Sequence, residues 1–386
     1  KAAAATWGFV RNLRGRSSFV ASNDQAHALL DRLNAEIDSR FKSSDAGGIV
    51  AGSLLELREN SRMLRAVVVE ATALRKKVSR FPRIVGQTVE TSAGRADYAG
   101  IPRVAAVAES FLEATHFVWN SEAFELYVQQ IQQDDPLDLE ELWALPLFVK
   151  FHIFEQIVAS AQALLDKKLN ADSASGDPLV SRVKALREVG FANWSPLIES
   201  LILFDVTLRQ DPAQAYQKMD FNTRELYRKR VADYSRHSEN SELKVAAAAL
   251  ALAREAHALP IIDERIHLRI SHVGYYLIDK GFAELAARID YRPTSVDRLR
   301  ALIRRYPDEF YLGGIEIIAF LVMAAVIIPL AAKYSVIDGL ALGFFLLLLP
   351  AAQGTVDLFN NIVTSLFKAQ PILKLDFSGG IPNECV

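Results

Sequence analysis

The pattern of apolar and polar residues changes abruptly after residue 312. The next 20 residues, Gly313 to Ala332, carry a single charge, on Glu316. A polar break at residues 333–335 is followed by a second apolar run, from Val336 to Ala352. A helix needs about 20 mainly apolar residues to cross a bilayer, and the second run reaches that length if its helix continues to about Leu358. The pattern therefore predicts a transmembrane helical hairpin.

Upstream of the hairpin, apolar residues recur with the period of an α-helix. No segment shows the sustained alternation of Val, Ile and Thr that indicates a strand. The predicted fold class is therefore all-α, with a cytoplasmic multi-helix bundle followed by the transmembrane hairpin. Helices are predicted over residues 24–41, 54–78, 104–118, 121–132, 139–169, 180–189 and 196–209, and others are opened by Asp211-Pro212, Thr223 and Ser241.

Proline, glycine and acidic residues divide these helices. Pro146 is expected to break or kink the helix over residues 139–169, because proline lacks the backbone N–H that a helix interior uses. The runs 86–100 and 170–177 are polar and contain glycine, so they are predicted to be loops. The acidic cluster around Asp135 and Asp138 directly precedes a helix. We interpret it as helix caps rather than as a metal–nucleotide site.

The charges that flank the hairpin predict its orientation. Four arginines precede it, Lys368 and Lys374 follow it, and the connecting loop carries only Lys333 against Asp338. Basic residues close to the ends of membrane spans favour the cytoplasmic side. Both ends of the hairpin are therefore predicted to be cytoplasmic, which places residues 1–310 in the cytoplasm. The four arginines are Arg298, Arg300, Arg304 and Arg305.

The amino-acid composition argues against several classes of function and of binding site. Lys plus Arg number 44 against 46 Asp plus Glu, so no basic excess indicates a nucleic-acid partner. A single cysteine, Cys385, excludes an internal disulfide framework and a cysteine-rich zinc site. The chain begins at Lys1 without a methionine or a signal peptide and stops at Val386, so we expect it to be a piece of a longer polypeptide.

No catalytic, cofactor-binding or metal-binding residue is predicted in this span. The seven histidines lie outside any H-E-x-x-H pattern, and His267 and His272 are five residues apart, which places them on different faces of a helix. Motifs typical of nucleophile elbows and phosphate-binding loops are also missing. Trp143 and nearby phenylalanines lie in an apolar helix and are interpreted as core. The charged face of the helix over residues 54–78 is interpreted as solvated.

Eight short blocks nevertheless occur in a recognisable order. In order they are LREN (57–60), FPRIV (81–85), GIPRV (100–104), LEELWAL (139–145), LRQDPAQAYQKMDFNTRELYRKRV (208–231), HVGYYLIDKG (272–281), YLGGI (311–315) and LKLDFSGGIPNEC (373–385). Their combination resembles the N-terminal helical and membrane region of the cyclic β-1,2-glucan synthase family, which are glycosyltransferase–phosphorylase fusion proteins. The resemblance covers roughly residues 50 to 386. Val386 departs from it, since the family usually has arginine there, and so do Gln353 and Gly354.

The resemblance implies a division of the chain and a role for it. Residues 1–49 are expected to be an N-terminal helical extension, 50–310 a cytoplasmic all-helical domain, 311–367 the hairpin plus an interfacial helix, and 368–386 a linker into a glycosyltransferase domain. That domain would use UDP-glucose and a divalent metal to build β-1,2-glucan at the bacterial inner membrane. This span would be its non-catalytic scaffold and membrane anchor, with the lipid bilayer, the transferase domain and the phosphorylase-like domain as partners.

Two further hypotheses concern surfaces. Arg224 to Arg230, in particular Arg228 and Lys229, are candidates for contact with those domains or with lipid. Val356, Phe359, Val363 and Leu366 form an apolar stripe that is predicted to lie at the membrane interface. The alternative function from another class is a stand-alone, membrane-tethered helical interaction protein without enzymatic activity.

Overall fold

The architecture is that of a helical bundle followed by a long helical hairpin. The computed structural model describes residues 9–10, 18–42, 49–78, 80–84, 88–91, 94–97, 100–166, 178–261, 263–333, 337–366, 372–378 and 380. The predicted all-α class is confirmed, because helices account for most of these residues. The predicted loop over residues 170–177 lies outside the described residues.

The elements follow one another in this order. The bundle contains α1 (Ser18–Lys42), α2 (Ile49–Glu59), α3 (Ser61–Val78), α4 (Arg103–Ala114), α5 (Ser121–Gln132), α6 (Leu139–Asp166), α7 (Pro178–Phe191), α8 (Trp194–Leu201), α9 (Leu203–Leu208), α10 (Phe221–Arg236), α11 (Glu242–His257), α12 (Glu264–Ile270), α13 (Val273–Leu277), α14 (Phe282–Arg288) and α15 (Ser295–Arg305). The hairpin consists of α16 (Pro307–Lys333) and α17 (Ile337–Leu366).

Short strands were not predicted, and the structure corrects this. β1 (Phe9–Val10) pairs with β2 (Arg83–Ile84), and β3 (Thr88–Thr91) pairs with β4 (Gly94–Asp97), both antiparallel. The second pair lies within the run 86–100 that was predicted to be a loop. With only two or four residues per strand, alternation is too short to be recognised in the sequence.

Helix α6 lies at the centre of the bundle, where it packs against α1, α3, α4, α7, α8 and α10. Its buried side chains occur on several faces, as expected for a central helix. They include Leu142, Leu145, Phe148, Val149, Ile153, Phe154 and Ile157. The helix continues through Pro146, so it is not broken there, while the alternative of a kink stays a prediction. Packing on every side holds the helix together where one backbone hydrogen bond is missing.

A second group of helices surrounds α11, which contacts α9, α10, α12, α13 and α14. Its core-facing positions are mostly alanine, among them Ala246, Ala249 and Ala253, so neighbouring helices can approach closely. Ser241 caps α11 by accepting a hydrogen bond from the N–H of Lys244, which confirms the predicted start of this helix.

Several predicted helices differ from the observed ones for local reasons. The helix predicted over residues 54–78 is two helices that meet at Asn60, whose side-chain amide donates to the carbonyl of Glu56 over 2.7 Å. Such side-chain bonds compete with the helical ladder. The helix predicted over 196–209 is interrupted at Ile202, where the backbone is extended. Asp220 rather than Thr223 caps α10.

In the hairpin, α16 and α17 pack along each other. Gly314 on α16 lies against the ring of Phe359, so closely that a Cβ at Gly314 would be 2.3 Å from ring atoms. The hydroxyl of Tyr311 donates to Oδ1 of Asn360 over 3.0 Å. Residues 356–366 continue α17, and Phe359 of the predicted apolar stripe is buried against α16. Their placement at the membrane interface stays a prediction.

Candidate functional site

The first candidate is a buried ion pair that joins two of the sequence blocks. Arg103, in GIPRV, donates through Nη2 to Oε2 of Glu141, in LEELWAL, over 2.5 Å. Its Nη1 donates to Oδ2 of Asp135 over 2.5 Å. The side chains of Arg103 and Glu141 are only 3% and 0% exposed. Burial alone would lower the pKa of Arg103, but the two carboxylates raise it, so the guanidinium stays charged. The pair fixes α4 against the start of α6.

A second charged network lies beneath α10. Arg228 is fully buried, and it donates to Oδ1 of Asp205 over 2.8 Å and to Oε1 of Glu199 over 2.5 Å. The hydroxyl of Tyr216 donates to the same Asp205 oxygen over 2.5 Å, and Arg209 donates to the other over 2.6 Å. Burial alone would raise the pKa of Asp205, but these donors hold it below its ordinary value.

This network corrects the hypothesis that Arg228 is a contact residue for other domains or lipid. Its guanidinium is committed to internal partners, and reversing its charge would leave Asp205 and Glu199 unpaired inside the bundle. Lys229, by contrast, has a side chain that is 65% exposed and remains available at the surface. The sequence could not separate the two neighbours, because both are basic residues in a polar helix.

The third feature has the layout of an acid–base relay. Oδ2 of Asp211 lies 2.7 Å from Nδ1 of His272, and Nε2 of His272 lies 3.0 Å from the hydroxyl oxygen of Tyr227. The backbone N–H of Val273 donates to the other Asp211 oxygen over 3.0 Å. The residues come from two of the sequence blocks, 208–231 and 272–281, which these contacts hold together.

The relay lacks the accessibility that catalysis requires. Tyr227 is 1% exposed, and Gly274 lies so close that a Cβ there would be 2.3 Å from the hydroxyl oxygen. Burial and the neighbouring Asp211 both raise the pKa of Tyr227, so its hydroxyl stays protonated. Asp211 also accepts backbone hydrogen bonds from Ala215 and Tyr216, which explains why no helix starts at Asp211-Pro212. The arrangement acts as a structural lock.

A cleft opens beside the start of α6. Two adjoining cavities of about 790 and 650 Å³ share Phe81, Glu140 and Arg236 in their walls. In the first, the carboxylate of Glu242 accepts from the N–H of Leu139, and burial raises the pKa of Glu242 to about 8. Glu242 therefore caps α6 from a position 103 residues away.

Two further predictions concern Trp143, which lines the second cavity, and the histidines. Trp143 packs against the hydrophobic core as predicted, and it is partly exposed where it meets Phe221 edge to face in the wall of that cavity. His267 and His272 have separate surroundings, since His267 stacks near His257 whereas His272 belongs to the lock. Within the part of the chain that the structure describes, no group of three or more potential ligands is arranged to hold a metal ion.

The junction between the hairpin and the bundle is the site with the clearest consequence for function. After α17 the chain returns to the bundle, where Leu375 forms an antiparallel bridge with Met219. The N–H of Asp376 donates to the carbonyl of Lys218 over 2.8 Å, and the N–H of Lys374 donates to Oγ1 of Thr223 over 3.0 Å. The segment 372–378 thereby pairs with the block that also holds the buried network. The start of α16 and the end of α17 lie at the same end of the hairpin, where Tyr311 contacts Asn360.

Two helices among the described residues are long and apolar enough to cross a membrane. These are residues Leu139–Leu165 of α6 and residues Pro307–Pro329 of α16. More than half of the most apolar part of α6 is buried, as in the core helix of a soluble protein, whereas none of the corresponding part of α16 is.

Comparison with known proteins supports the resemblance that the eight sequence blocks indicate. No known protein-family profile matches the chain. Cyclic beta-(1,2)-glucan synthase NdvB of Rhizobium meliloti (strain 1021) is 29% identical to it over 213 residues, which make up 55% of this chain and 7% of that relative. The chain therefore matches only a small part of a much longer protein. The predicted resemblance is confirmed at this level: just over half of the chain is similar to a cyclic β-1,2-glucan synthase.

Proposed function

We propose that this chain is the N-terminal scaffold and membrane anchor of a cyclic β-1,2-glucan synthase-like glucosyltransferase. The observation that carries the proposal is the return of residues 372–378 to the bundle. A domain that follows this segment starts from a fixed point beside α10 and directly after the hairpin. The span itself positions the catalytic domain and does not perform the reaction.

The proposal includes membrane insertion of the hairpin. Large apolar side chains of α16 are exposed to the surroundings, such as Ile317, Phe320 and Ile328 at 63%, 72% and 67%. Exposed apolar area of this extent along one helix is favourable in lipid and costly in water. Since both flanks lie on one side and the basic residues gather there, we place that side in the cytoplasm of the bacterial inner membrane.

The substrate belongs to the domains that we propose to follow this chain. The relative is named a cyclic β-(1,2)-glucan synthase, and this supports a related glucan-forming reaction. UDP-glucose as donor and a divalent metal would be bound by the transferase domain, and a phosphorylase-like domain would be a further partner. The rival function, a tethered interaction protein without an enzymatic half, has no observation in its favour.

Labelling single cysteines tests the orientation. In a Cys385→Ser background, Ser335→Cys reports on the loop between the spans, Glu239→Cys on the bundle and Ser378→Cys on the returning segment. A membrane-impermeant maleimide applied to spheroplasts should label only the loop position, and the other two should react after lysis. Labelling of the bundle from outside, or of the loop only after lysis, would contradict the proposed orientation.

Proline substitutions in the full-length parent protein test the scaffold role. Asp376→Pro removes the N–H that donates to the carbonyl of Lys218. Leu375→Pro is the matched control, because the N–H of Leu375 donates neither of the two hydrogen bonds that Lys374 and Asp376 make to the bundle. One backbone hydrogen bond contributes about 1 kcal/mol, so the equilibrium constant for docking should fall about fivefold. We expect UDP-glucose incorporation into glucan to drop several-fold for Asp376→Pro only. Equal activities for the two variants would refute the positioning role.

A further inference from the structure

Helix α15, directly before the hairpin, exposes an apolar stripe at helical spacing. Val296, Leu299, Leu302 and Tyr306 are 51%, 51%, 56% and 45% exposed, although they are spaced like the core side of an amphipathic helix. Ile303 is the one apolar residue of this helix that is buried. Among the described residues, α15 makes its main contact with α16, and most of its apolar face is uncovered.

The charges of α15 frame this stripe. The helix contains four arginines and one aspartate, and Asp297 lies 3.8 Å from Arg300. At 100° per residue, Arg298 and Arg305 border the stripe on one side and Arg300 borders it on the other. The long side chains of arginines at such borders can reach outward to anionic groups while their methylene chains cover apolar surface.

The backbone on both sides fixes α15 as a separate helix. Thr294 and Asp297 form a capping box at its start. At its end, Tyr306 has φ −131° and ψ 66°, which is outside the helical region, and α16 begins at the next residue. The chain can thus change direction between the two helices. The start of the candidate span lies within two residues of the end of the arginine-flanked stripe.

We infer that α15 lies flat on the cytoplasmic face of an anionic bilayer, with its apolar stripe in the boundary between headgroups and acyl chains. This rests on the proposed function, because the position of α15 at the surface follows from membrane insertion of α16. The occupant of the stripe is lipid rather than protein because the charge pattern complements anionic headgroups and the helix is continuous with the proposed span. The bundle is then attached to the membrane by two helices: α16, which crosses the bilayer, and α15, which lies on its surface.

The depth of single spin labels tests this in the full chain. The protein is reconstituted into nanodiscs of 70% phosphatidylcholine and 30% phosphatidylglycerol, with Cys385→Ser as background. Leu302→Cys reports on the stripe, and Ala301→Cys is a matched control one residue away on the polar side of the helix. We expect a label at 302 to be at least threefold more accessible to oxygen than to a nickel chelate, and a label at 301 to show the reverse.

Two other results would overturn the inference. Equal accessibility of both labels to the nickel chelate would mean that the stripe is in water. Exclusion of both oxygen and the chelate at position 302 would mean that protein covers it. A label introduced by Phe320→Cys separates these outcomes from failure of the proposed function: if it is deep in lipid while 302 is not, only the surface helix is wrong.

The arginines provide an independent readout. In nanodiscs of phosphatidylcholine alone, the 302 label should lie shallower than in the anionic nanodiscs. The double variant Arg298→Glu/Arg305→Glu should remove this difference, and the exposed pair Arg65→Glu/Arg58→Glu on other helices serves as a charge-matched control that should keep it. A depth that is independent of anionic lipid would refute the electrostatic part of the inference.

Discussion

Helices α6 and α16 are alike in sequence and opposite in surroundings. Both are long and apolar enough to cross a membrane. Helix α6 is surrounded by six other helices, whereas α16 packs on α17 and touches α15. Leu145 in α6 is fully buried, while Phe320 in the middle of α16 is 72% exposed. The same composition thus serves as the core of a bundle in one place and as an uncovered surface in the other.

The difference between the two helices shows that a helix buried in the bundle needs partners for its polar groups. Other helices supply partners for the polar groups at the start of α6: Arg103 of α4 pairs with Glu141, and Glu242 of α11 caps Leu139. Helix α16 has no comparable buried charge pair among the described residues, and its neighbour α17 covers one side only. Identical substitutions in the two helices should therefore have different consequences. All four tryptophans lie outside the hairpin, and Trp119, Trp143 and Trp194 belong to the bundle, so their fluorescence does not report from within the hairpin.

The largest expected effect comes from a charge in α6. Leu145→Asp would place a carboxylate without a partner in the centre of the bundle, at a cost of several kcal/mol, which is comparable to the whole stability of a typical domain. Denaturant titration in micelles, followed by tryptophan fluorescence, should show no folded baseline. Leu145→Met is the conservative control and should unfold close to the wild type. A cooperative transition for the aspartate variant would contradict the assignment of α6 as the core.

The next effect is a pH dependence that belongs to α6. Burial, together with Arg182, lowers the pKa of His152 to about 4, and Glu155 at 3.8 Å does not offset this. Because the unfolded chain takes up the proton near pH 6.5, stability is present above that pH and is lost as pH falls toward 4. The loss is about 3 kcal/mol for a shift of this size.

The measurement is the free energy of unfolding at several pH values between 7 and 4. His152→Phe keeps an aromatic ring against Phe117, which stacks on His152 with centroids 6.0 Å apart, and should remove this part of the slope. His27→Gln, at an exposed position of α1, is the control and should retain it. A slope that is unchanged in His152→Phe would show that the buried histidine does not cause the loss.

A charge in α16 should act on the membrane and not on the fold. Phe320→Asp places a carboxylate in the middle of the proposed span, which opposes insertion by about 3 kcal/mol. We expect the unfolding curve of the bundle in micelles to stay as in the wild type, while the membrane-inserted fraction in cells falls. Phe320→Leu should behave as the wild type in both assays. If the aspartate variant lost the cooperative unfolding transition of the bundle, a charge in α16 would act on the fold in the same way as a charge in α6.

The smallest effect concerns the contact inside the hairpin. Gly314→Val would push against the ring of Phe359, and overpacking of this kind costs about 1–3 kcal/mol. Gly313→Val is the matched control, because nothing lies within 4 Å of a Cβ at Gly313. Cross-linking of Tyr311→Cys to Asn360→Cys with a short bismaleimide should become slower only for the Gly314 variant. Equal rates would mean that α16 and α17 do not depend on this approach.

Local signals in the sequence predicted a good part of the helices. The start of α11 at Ser241 and the extent of α5 were correct, because a cap and its N–H partner are three residues apart. The break at Asn60 was missed, since its side-chain bond to Glu56 competes with a pattern that looks continuous. Lys229 and Arg228 show the same limit: they are adjacent and alike in the sequence, and only packing separates the surface residue from the buried one.

By itself the sequence determined the helical class, the apolar hairpin and the resemblance to the glucan synthases, because periodicity, run length and ordered blocks are properties of the linear chain. The tertiary structure decided which apolar helix is covered and which charges are internal. It also brought Asp211 to His272 and Leu375 to Met219, although these pairs are far apart in the chain. Such contacts depend on how whole helices pack, and packing combines residues that no local pattern connects.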